Sequence, residues 1–425
     1  MKTFYTNATI YRNGRFERGT LVVEAGRIAA AAVPSEGDRL VDLTGLHLVP
    51  GLVDVHVHLR EPGSPQKETI ATGTAAAARG GYTTVCAMPN LNPAPDAPET
   101  LHVETELIRR DARVRVLPYG CITRGQRGCG ELVDFAALAP EVVGFSDDGR
   151  GVQSAELMEE AMRRAARVGR PVVAHCEVDE LLKGGYIHDG AYCRAHGHKG
   201  ISSESEWAQV ERDIELSAKT GCQYHVCHVS TKESVELVRR AKARGLRVSC
   251  ETAPHYLLLT DEDLQEEGRF KMNPPIRSRE DRAALIAGIV DGTIEVVATD
   301  HAPHTAEEKS RGLSGSAMGI VGLECAFALL YKYMVLPGVI TLERLLALMS
   351  ENPRRIFALG GGLAVGEPAD FTVLDLGAEY AIDPATFLSK GRATPFAGWT
   401  VQGRAVLTVV GGEEVYKDET TKTIR

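Results

Sequence analysis

The sequence lacks the features of membrane-spanning and secreted proteins. No run of about 18 consecutive apolar residues, the length that a membrane-spanning helix needs, occurs along the chain. The first residues, Met1 to Tyr5, carry no apolar core of a signal peptide. We therefore expect a protein that is neither secreted nor inserted in a membrane.

The sequence also lacks a dense basic segment and a Cys-x-x-Cys pair. Its 48 lysines and arginines are outnumbered by 57 acidic residues, which gives a formal net charge of −9. This balance argues against nucleic acid or an anionic membrane as a partner. The nine cysteines lie mostly in apolar runs, where a free thiol behaves as a small hydrophobic group. This usage favours a cytoplasmic location.

Aromatic residues are scarce, at 6%, whereas 44% of the chain is hydrophobic and 43 residues are glycine. This composition suits an aliphatic α/β protein with many tight turns. The 425 residues suffice for a barrel of about 250 residues with a smaller second domain.

Short antiparallel strands are predicted at both ends of the chain. Apolar and polar residues alternate in residues 7–11, 19–23, 27–29, 370–375 and 405–410, with glycine-rich turns between them. We expect residues 1–48 and 360–425 to form one small β-sandwich domain, interrupted by a larger α/β domain of residues 49–359.

Apolar strand candidates alternate with helical patterns in the middle of the chain. The strand candidates are residues 48–58, 83–89, 114–122, 142–148, 172–177, 224–230, 246–253 and 294–300. The helical patterns include residues 69–79, 154–168, 204–219, 232–244 and 279–289. Eight βα units predict a (β/α)8 barrel of the TIM type, and a doubly wound open sheet is the alternative.

Polar residues follow seven of these eight strands, at the carboxyl ends where barrel enzymes place reactive groups. They are His56, His58, Asn90, Asp147, Asp148, His175, His228, His255, Asp300, His301 and His304. One such residue at a strand end would be unremarkable, but core packing does not explain polar residues at seven of the eight strand ends. A shared functional site is therefore predicted.

The pair His56 and His58 indicates a metal. Alternate side chains of a strand point to the same face, so the two imidazoles stand about 7 Å apart along the chain. Taken alone, the short pattern also fits two surface histidines of an edge strand. Imidazole and carboxylate ligands without a thiolate favour Zn²⁺, with Co, Mn or Fe as alternatives, and five or six ligands favour two ions.

Several motifs stand in a characteristic order along the whole chain. They are Asp-Val-His-Val-His-Leu-Arg-Glu-Pro-Gly (54–63), Met-Pro-Asn (88–90), Phe-Ser-Asp-Asp-Gly (145–149), His-Cys-Glu (175–177), His-Val-Ser (228–230), Glu-Thr-Ala-Pro-His (251–255), Lys-Met-Asn-Pro-Pro (271–275), Ala-Thr-Asp-His-Ala-Pro-His (298–304) and Gly-Leu-Ala-Val-Gly-Glu-Pro-Ala-Asp (362–370). In these motifs the chain resembles the amidohydrolase superfamily and, within it, the longer-chain bacterial dihydroorotases.

The resemblance implies two Zn²⁺ ions per subunit. The implied ligands are His56, His58 and Asp300 for one ion, His175 and His228 for the other, and Asp148 with a hydroxide as the bridge. Hydantoinases, allantoinases and the shorter dihydroorotases usually bridge with a carbamylated lysine, but residues 142–148 contain no lysine. An aspartate supplies the negative charge itself, so carbamylation should not be needed. Asp147 should face away, because adjacent strand residues alternate.

The resemblance also implies the substrate site, namely Arg60, Asn90, Asn273 and His304. The planar guanidinium of Arg60 would bind a carboxylate and would reach the metal site if the strand stays extended beyond His58. An ion pair of Arg60 with Glu61 or Glu68 is the alternative, and the two asparagines could be turn residues.

Two further segments are interpreted from their composition. Residues 304–312 are polar and end at a glycine, which is typical of a mobile loop over a site or of a plain solvated loop. His188, His196 and His198 match no motif and are expected at the surface. His255 belongs to a motif and is expected to contact a metal ligand.

The implied activity is that of a dihydroorotase, the reversible cyclisation of N-carbamoyl-L-aspartate to L-dihydroorotate in pyrimidine biosynthesis. Asp300 would carry the proton between the attacking and the leaving group. The alternatives are another cyclic-amide hydrolase, such as an allantoinase or a hydantoinase-like enzyme, or a non-catalytic partner subunit of aspartate transcarbamoylase. The expected assembly is a homodimer, with aspartate transcarbamoylase left open as a further partner.

Overall fold

The computed structural model describes residues 1–419, and in this range the chain is a mixed α/β protein. The strands β1–β17 are Lys2–Arg12, Arg15–Glu24, Arg27–Ala29, Arg39–Asp42, His47–Pro50, Leu52–Val57, Tyr82–Ala87, Arg115–Pro118, Val172–Ala174, Ile187–His188, Gly200–Ile201, Tyr224–Val226, Val248–Thr252, Val296–Val297, Phe371–Ala381, Thr400–Val410 and Glu413–Lys417. The α-helices α1–α14 are Ile70–Arg79, Pro98–Asp111, Phe135–Leu138, Ala155–Arg167, Ala191–His196, Glu204–Thr220, Lys232–Ala243, Pro254–Leu258, Arg279–Asp291, Ala306–Lys309, Gly312–Gly315, Ala326–Leu330, Leu342–Leu346 and Asn352–Ile356. The last six residues of the predicted 360–425 segment lie outside the described range.

One sheet of eight strands combines both ends of the chain. Its order is β17-β16-β15-β5-β1-β2-β3, and β4 also pairs with β1. The buried rings of Tyr5 and Phe371 meet edge to face in its core, with centroids 4.9 Å apart. The predicted strands pair antiparallel, as β1 with β2, β2 with β3 and β15 with β16, whereas β4 and β5 run parallel to β1. After the β2–β3 hairpin the chain crosses to the other side of β1, so the next strand returns in the direction of β1.

The middle of the chain forms two parallel sheets, β6-β7-β8 and β9-β12-β13-β14. Single parallel bridges connect them on both sides: Phe145 pairs with Gly120 and Val172, and Val57 pairs with His301. The carboxyl ends of all these strands therefore lie on the same side of the molecule.

The predicted strand 142–148 is shorter than expected, but its backbone joins the strands on both sides. The amide of Val143 donates to the carbonyl of Pro118 at 2.9 Å, and the amide of Phe145 donates to that of Pro171 at 3.0 Å. Side chains hold the residues that follow Phe145. The amide of Asp148 donates to Ser146 Oγ at 3.0 Å, and the Asp147 carboxylate accepts from the amide of Thr123 at 3.2 Å. Residues 143–146 therefore continue the parallel pairing between β8 and β9.

The predicted strand 48–58 is divided at Gly51, with β5 in the first sheet and β6 in the second. A Cβ atom on Gly51 would lie 2.0 Å from Thr83 Oγ1, so only glycine allows this close crossing. The predicted helices agree with α1, α4, α6, α7 and α9 to within two residues at each end. Among residues 1–419, the helices are all too short or too polar to cross a bilayer.

Candidate metal centre

The polar residues after the parallel strands converge on one site. The buried members are His56, His58, Asp148, His175, His228 and Asp300. His228 and Asp300 have positive φ angles of 33° and 47°. A left-handed backbone is uncommon for residues other than glycine and costs free energy, so the surrounding structure must hold these two side chains in place.

His56, His58 and Asp300 form a first cluster. Asp300 Oδ1 lies 3.1 Å from His58 Nε2 and 3.5 Å from His56 Nε2. Their candidate ligand atoms all lie within 4.8 Å of one another. The two histidines of the His-x-His pattern therefore share the carboxylate of Asp300, which follows the last parallel strand, β14.

Asp148, His175 and His228 form a second cluster, and Asp148 also reaches the first. Asp148 Oδ1 lies 3.4 Å from His228 Nε2 and 3.8 Å from His175 Nδ1. The same oxygen is 3.4 Å from His56 Nε2, while Asp148 Oδ2 is 3.5 Å from His58 Nε2. The carboxylate of Asp148 thus stands between the two clusters, as a bridging group would.

The adjacent carboxylate, Asp147, has a different role. Its oxygens accept hydrogen bonds from the backbone of Ile122 at 2.8 Å, of Thr123 at 3.2 Å and of Gly128 at 3.1 Å. Asp147 points away from the histidines, as strand alternation predicts, and it holds the segment that carries Asp148.

The cluster is electrostatically suited to a cation. Burial opposes ionisation of Asp148, but the nearby imidazoles of His56 and His228 outweigh it and hold the pKa of Asp148 well below its usual range. The pKa of Asp300 is also lowered, because His56 and His58 outweigh the effect of its burial. Both carboxylates are therefore ionised at neutral pH.

The donor atoms fit a borderline metal such as zinc. His56 Nε2 and Asp148 Oδ1 are buried and have no hydrogen-bond partner within residues 1–419, although they face each other and the other ligand atoms. Buried polar atoms are rarely left unsatisfied. Imidazole nitrogens with carboxylate oxygens are the donor set that zinc prefers.

The sequence interpretation missed two buried residues behind this centre, Glu251 and His225. Glu251 Oε1 lies 2.7 Å from His56 Nδ1, and Glu251 Oε2 lies 3.1 Å from His225 Nε2. A carboxylate inside the fully buried strand β13 was a usable signal, but its partners come from other strands. His255, by contrast, makes no hydrogen bond to a predicted ligand in the part of the chain that the structure describes.

A cavity of about 260 Å³ opens over the centre. Its lining residues are His58, Arg60, Asn90, Asp148, Gly149, His175, His228, Met272, Asn273, Asp300, Ala302, His304 and Met318. Every predicted site residue except His56, which lies fully buried behind the others, contributes to this lining.

Arg60 reaches the cavity by a different route from the predicted one. Strand β6 ends at Val57, and Arg60 has a left-handed φ of 61°, so the expectation of an extended chain to Arg60 is wrong. Arg60 Nε donates to the carbonyl of Pro303 at 3.2 Å. Within residues 1–419 the guanidinium makes no ion pair with Glu61 or Glu68, and burial lowers its pKa only to about 10, so it stays charged.

The two predicted asparagines are partly committed to protein partners. Asn90 Oδ1 lies 2.8 Å from His58 Nδ1 and accepts a hydrogen bond from its N–H group. Asn273 Nδ2 donates to Glu177 Oε1 at 3.0 Å, while Asn273 Oδ1 is buried without a hydrogen-bond partner among the described residues. Asn90 therefore orients a histidine of the centre, which the sequence interpretation did not foresee.

His304 is held as a neutral imidazole. Its Nε2–H donates to the carbonyl of Met318 at 2.8 Å, and its Nδ1 lies 3.4 Å from Lys67 Nζ. Burial, with the charges of Arg60 and Lys67, lowers the pKa of His304 to about 3. The following residues form α10 and α11, and the buried ammonium of Lys309 donates to three backbone carbonyls, two of them at 2.8 Å.

The expectation of three surface histidines in the insertion after β9 is wrong for His188. His188 is buried, and its Nδ1 lies 3.3 Å from Nη1 of the buried Arg277. His196 is exposed, while His198 Nε2 pairs with Glu266 Oε1 at 2.8 Å. None of the three lines the cavity.

Comparison with known proteins gives one consistent family. The family described as Dihydro-orotase-like matches residues 45–234. A protein named Dihydroorotase from Bacillus caldolyticus is 54% identical over 412 residues, which cover 96% of each sequence. A protein of the same name from Geobacillus kaustophilus is 54% identical over 413 residues, again with 96% of each covered.

Experimental structures of related enzymes share the fold. L-Hydantoinase from Arthrobacter aurescens superimposes with a TM-score of 0.87 at 25% identity, covering 99% of this chain and 98% of that one. Dihydropyrimidinase from Brevibacillus agri NCHU1002 gives a TM-score of 0.87 at 21% identity, covering 99% and 96%. At this identity the second likeness concerns the fold alone.

Proposed function

This chain belongs to the dihydroorotase family, and from that premise we propose that it interconverts N-carbamoyl-L-aspartate and L-dihydroorotate in pyrimidine biosynthesis. The observation that carries the proposal is a cavity with two ionised aspartates among buried histidines on one side and the charged Arg60 on the other. Such a cavity offers both a centre for amide chemistry and a partner for a substrate carboxylate.

We propose that two Zn²⁺ ions occupy the centre. His56, His58 and Asp300 would hold one, His175 and His228 the other, with Asp148 between them. When bound, the ions would polarise the reacting carbonyl and stabilise the negative charge that develops on its oxygen. The positions of Asp148 Oδ1 and Oδ2 toward both clusters support the bridging role.

The chain's own residues supply binding and proton transfer. Arg60 would bind the substrate carboxylate, and Asn273 would contact the ring through its unpaired Oδ1. In the biosynthetic direction, Asp300 would remove a proton from the carbamoyl nitrogen as it attacks the side-chain carboxylate. Asp300 would then pass this proton to the departing oxygen, which leaves as water with a second proton from solvent. In the hydrolytic direction, Asp300 would take the proton of the attacking water and return it to the departing nitrogen.

We also propose how the strands close into a barrel, how the chain divides into domains and how it assembles. The bridges at Phe145 and between Val57 and His301 support closure of the parallel strands into a (β/α)8 barrel of residues 49–359. The eight-stranded sheet supports a small β domain from residues 1–48 and 360–425. We expect the protein to be a homodimer and to be located in the cytoplasm. Aspartate transcarbamoylase is proposed as an additional partner.

Substrate choice tests the proposed function. The zinc-loaded protein should turn over dihydroorotate and should show little or no turnover of allantoin, because Arg60 favours a substrate with a free carboxylate. The measurement is kcat/KM for both compounds at equal zinc content. A preference for allantoin would instead favour a hydantoinase-like activity, and inactivity on both with zinc bound would favour a non-catalytic partner subunit.

Metal content tests the role of Asp148. The wild-type protein should bind two Zn²⁺ ions per chain, with an activity that is independent of added bicarbonate, since no lysine needs carbamylation. Asp148→Asn should lose at least one of the two ions on dialysis, as measured by elemental analysis. Asp375→Asn, on strand β15 outside the cavity lining, is the control and should keep both. If Asp148→Asn retained both ions, the proposal that Asp148 is a metal ligand would be wrong.

A further inference from the structure

Glu251 is a fully buried carboxylate that touches neither the cavity nor solvent, and the proposed mechanism leaves it unused. Its two oxygens have different histidine partners. Glu251 Oε1 lies 2.7 Å from His56 Nδ1, and Glu251 Oε2 lies 3.1 Å from His225 Nε2. An uncompensated carboxylate in this position would be costly, so both contacts need a donating partner.

These contacts fix where the histidine protons lie. An ionised carboxylate only accepts hydrogen bonds, so His56 Nδ1 must carry a proton. In the neutral imidazole the lone pair is then on Nε2, the atom that lies 3.4 Å from Asp148 and 3.5 Å from Asp300. Histidine binds a metal through this lone pair.

A second histidine holds Glu251 in place. Because His225 Nε2 donates to Glu251, His225 Nδ1 is the acceptor, and it lies 2.8 Å from Ser249 Oγ. The hydroxyl of Ser249 therefore donates to His225, and both histidines donate to Glu251, so each of these three hydrogen bonds has one donor and one acceptor. Glu251 Oε1 also lies 3.4 Å from the backbone amide of His228, which belongs to the second cluster.

We propose that Glu251 is a positioning residue that sets the tautomer of His56 and thereby the zinc affinity of the centre. The inference rests on the proposed metal centre and adds a residue that does not touch metal or substrate. His225 and Ser249 fix the carboxylate, so that His56 presents a lone pair before any ion arrives.

Glu251→Gln is the sharpest test, because the change keeps size and shape. A glutamine side chain offers one acceptor and one donor group where both histidines donate, so one histidine must change tautomer or lose its bond. Zinc affinity, measured by competition with a chromogenic chelator, should fall by about 10- to 100-fold, the usual effect of losing such a partner. Excess Zn²⁺ should restore kcat, which a merely damaged active site would not allow.

Glu104→Gln is the matched control, because Glu104 is also buried but lies on α2 without a contact to the centre. It should leave zinc affinity unchanged. If Glu251→Gln does not fold, Ser249→Ala provides a second measurement and should weaken zinc binding by a smaller factor. Wild-type affinity in a folded variant would overturn the inference. Failure of the wild type to bind zinc at all would instead contradict the proposed centre.

Discussion

Asp300→Asn should lower turnover of dihydroorotate by at least ~100-fold, the usual contribution of a general base. The carboxylate of Asp300 is ionised, because His56 and His58 outweigh the effect of burial on its pKa, and it lines the cavity. An asparagine has nearly the same size and can still offer one oxygen to the centre, but it cannot accept the proton. The loss should therefore appear in kcat.

The binding of substrate separates this role from a structural one. Dihydroorotate should still bind to Asp300→Asn with an affinity close to that of the wild type, measured by calorimetry at matched zinc content. Asp375→Asn, on strand β15 outside the cavity lining, should keep full activity. Near-normal turnover of Asp300→Asn with both ions bound would exclude Asp300 as the proton carrier.

The region of the site could be predicted from the sequence, because the alternation of side chains along a strand depends only on the spacing of neighbouring residues. Two histidines separated by one residue share a face, and parallel strands bring their carboxyl ends to one side, so His56, His58, His175 and His228 could be placed together without coordinates. The assignment of Asp148 rather than Asp147 came from the resemblance, and alternation was consistent with it. Their roles as ligands stay predictions until metal is measured.

The parts that the sequence could not supply depend on tertiary contacts. The left-handed backbone at Arg60, His228 and Asp300 has no signal in residue type, since such angles are usually held by glycine. The partners of Glu251 come from strands β6 and β12, far away in the chain. Periodicity identifies which residues share a face but not which buried polar groups meet across strands.

Arg60→Met should cost about 2 to 4 kcal/mol of transition-state stabilisation for dihydroorotate, in line with the loss of a charged partner. The protein carries a net charge of −9, so an anionic substrate needs a local positive group. Arg60 supplies it. Its Nε is fixed by Pro303 and, within residues 1–419, its charge has no carboxylate partner at ion-pair distance. The substrate carboxylate would be the missing partner.

The decisive comparison is between two substrates of the same ring. Dihydrouracil lacks the carboxylate, so its kcat/KM should fall far less than that of dihydroorotate when Arg60 is replaced. The ratio of the two kcat/KM values in wild type and variant isolates the carboxylate contact from any change in the metal centre. Arg124→Met, an exposed arginine outside the cavity, should leave both values unchanged. Equal losses on both substrates would mean that Arg60 only supports the backbone of Pro303, because a specificity contact must act on the group that differs.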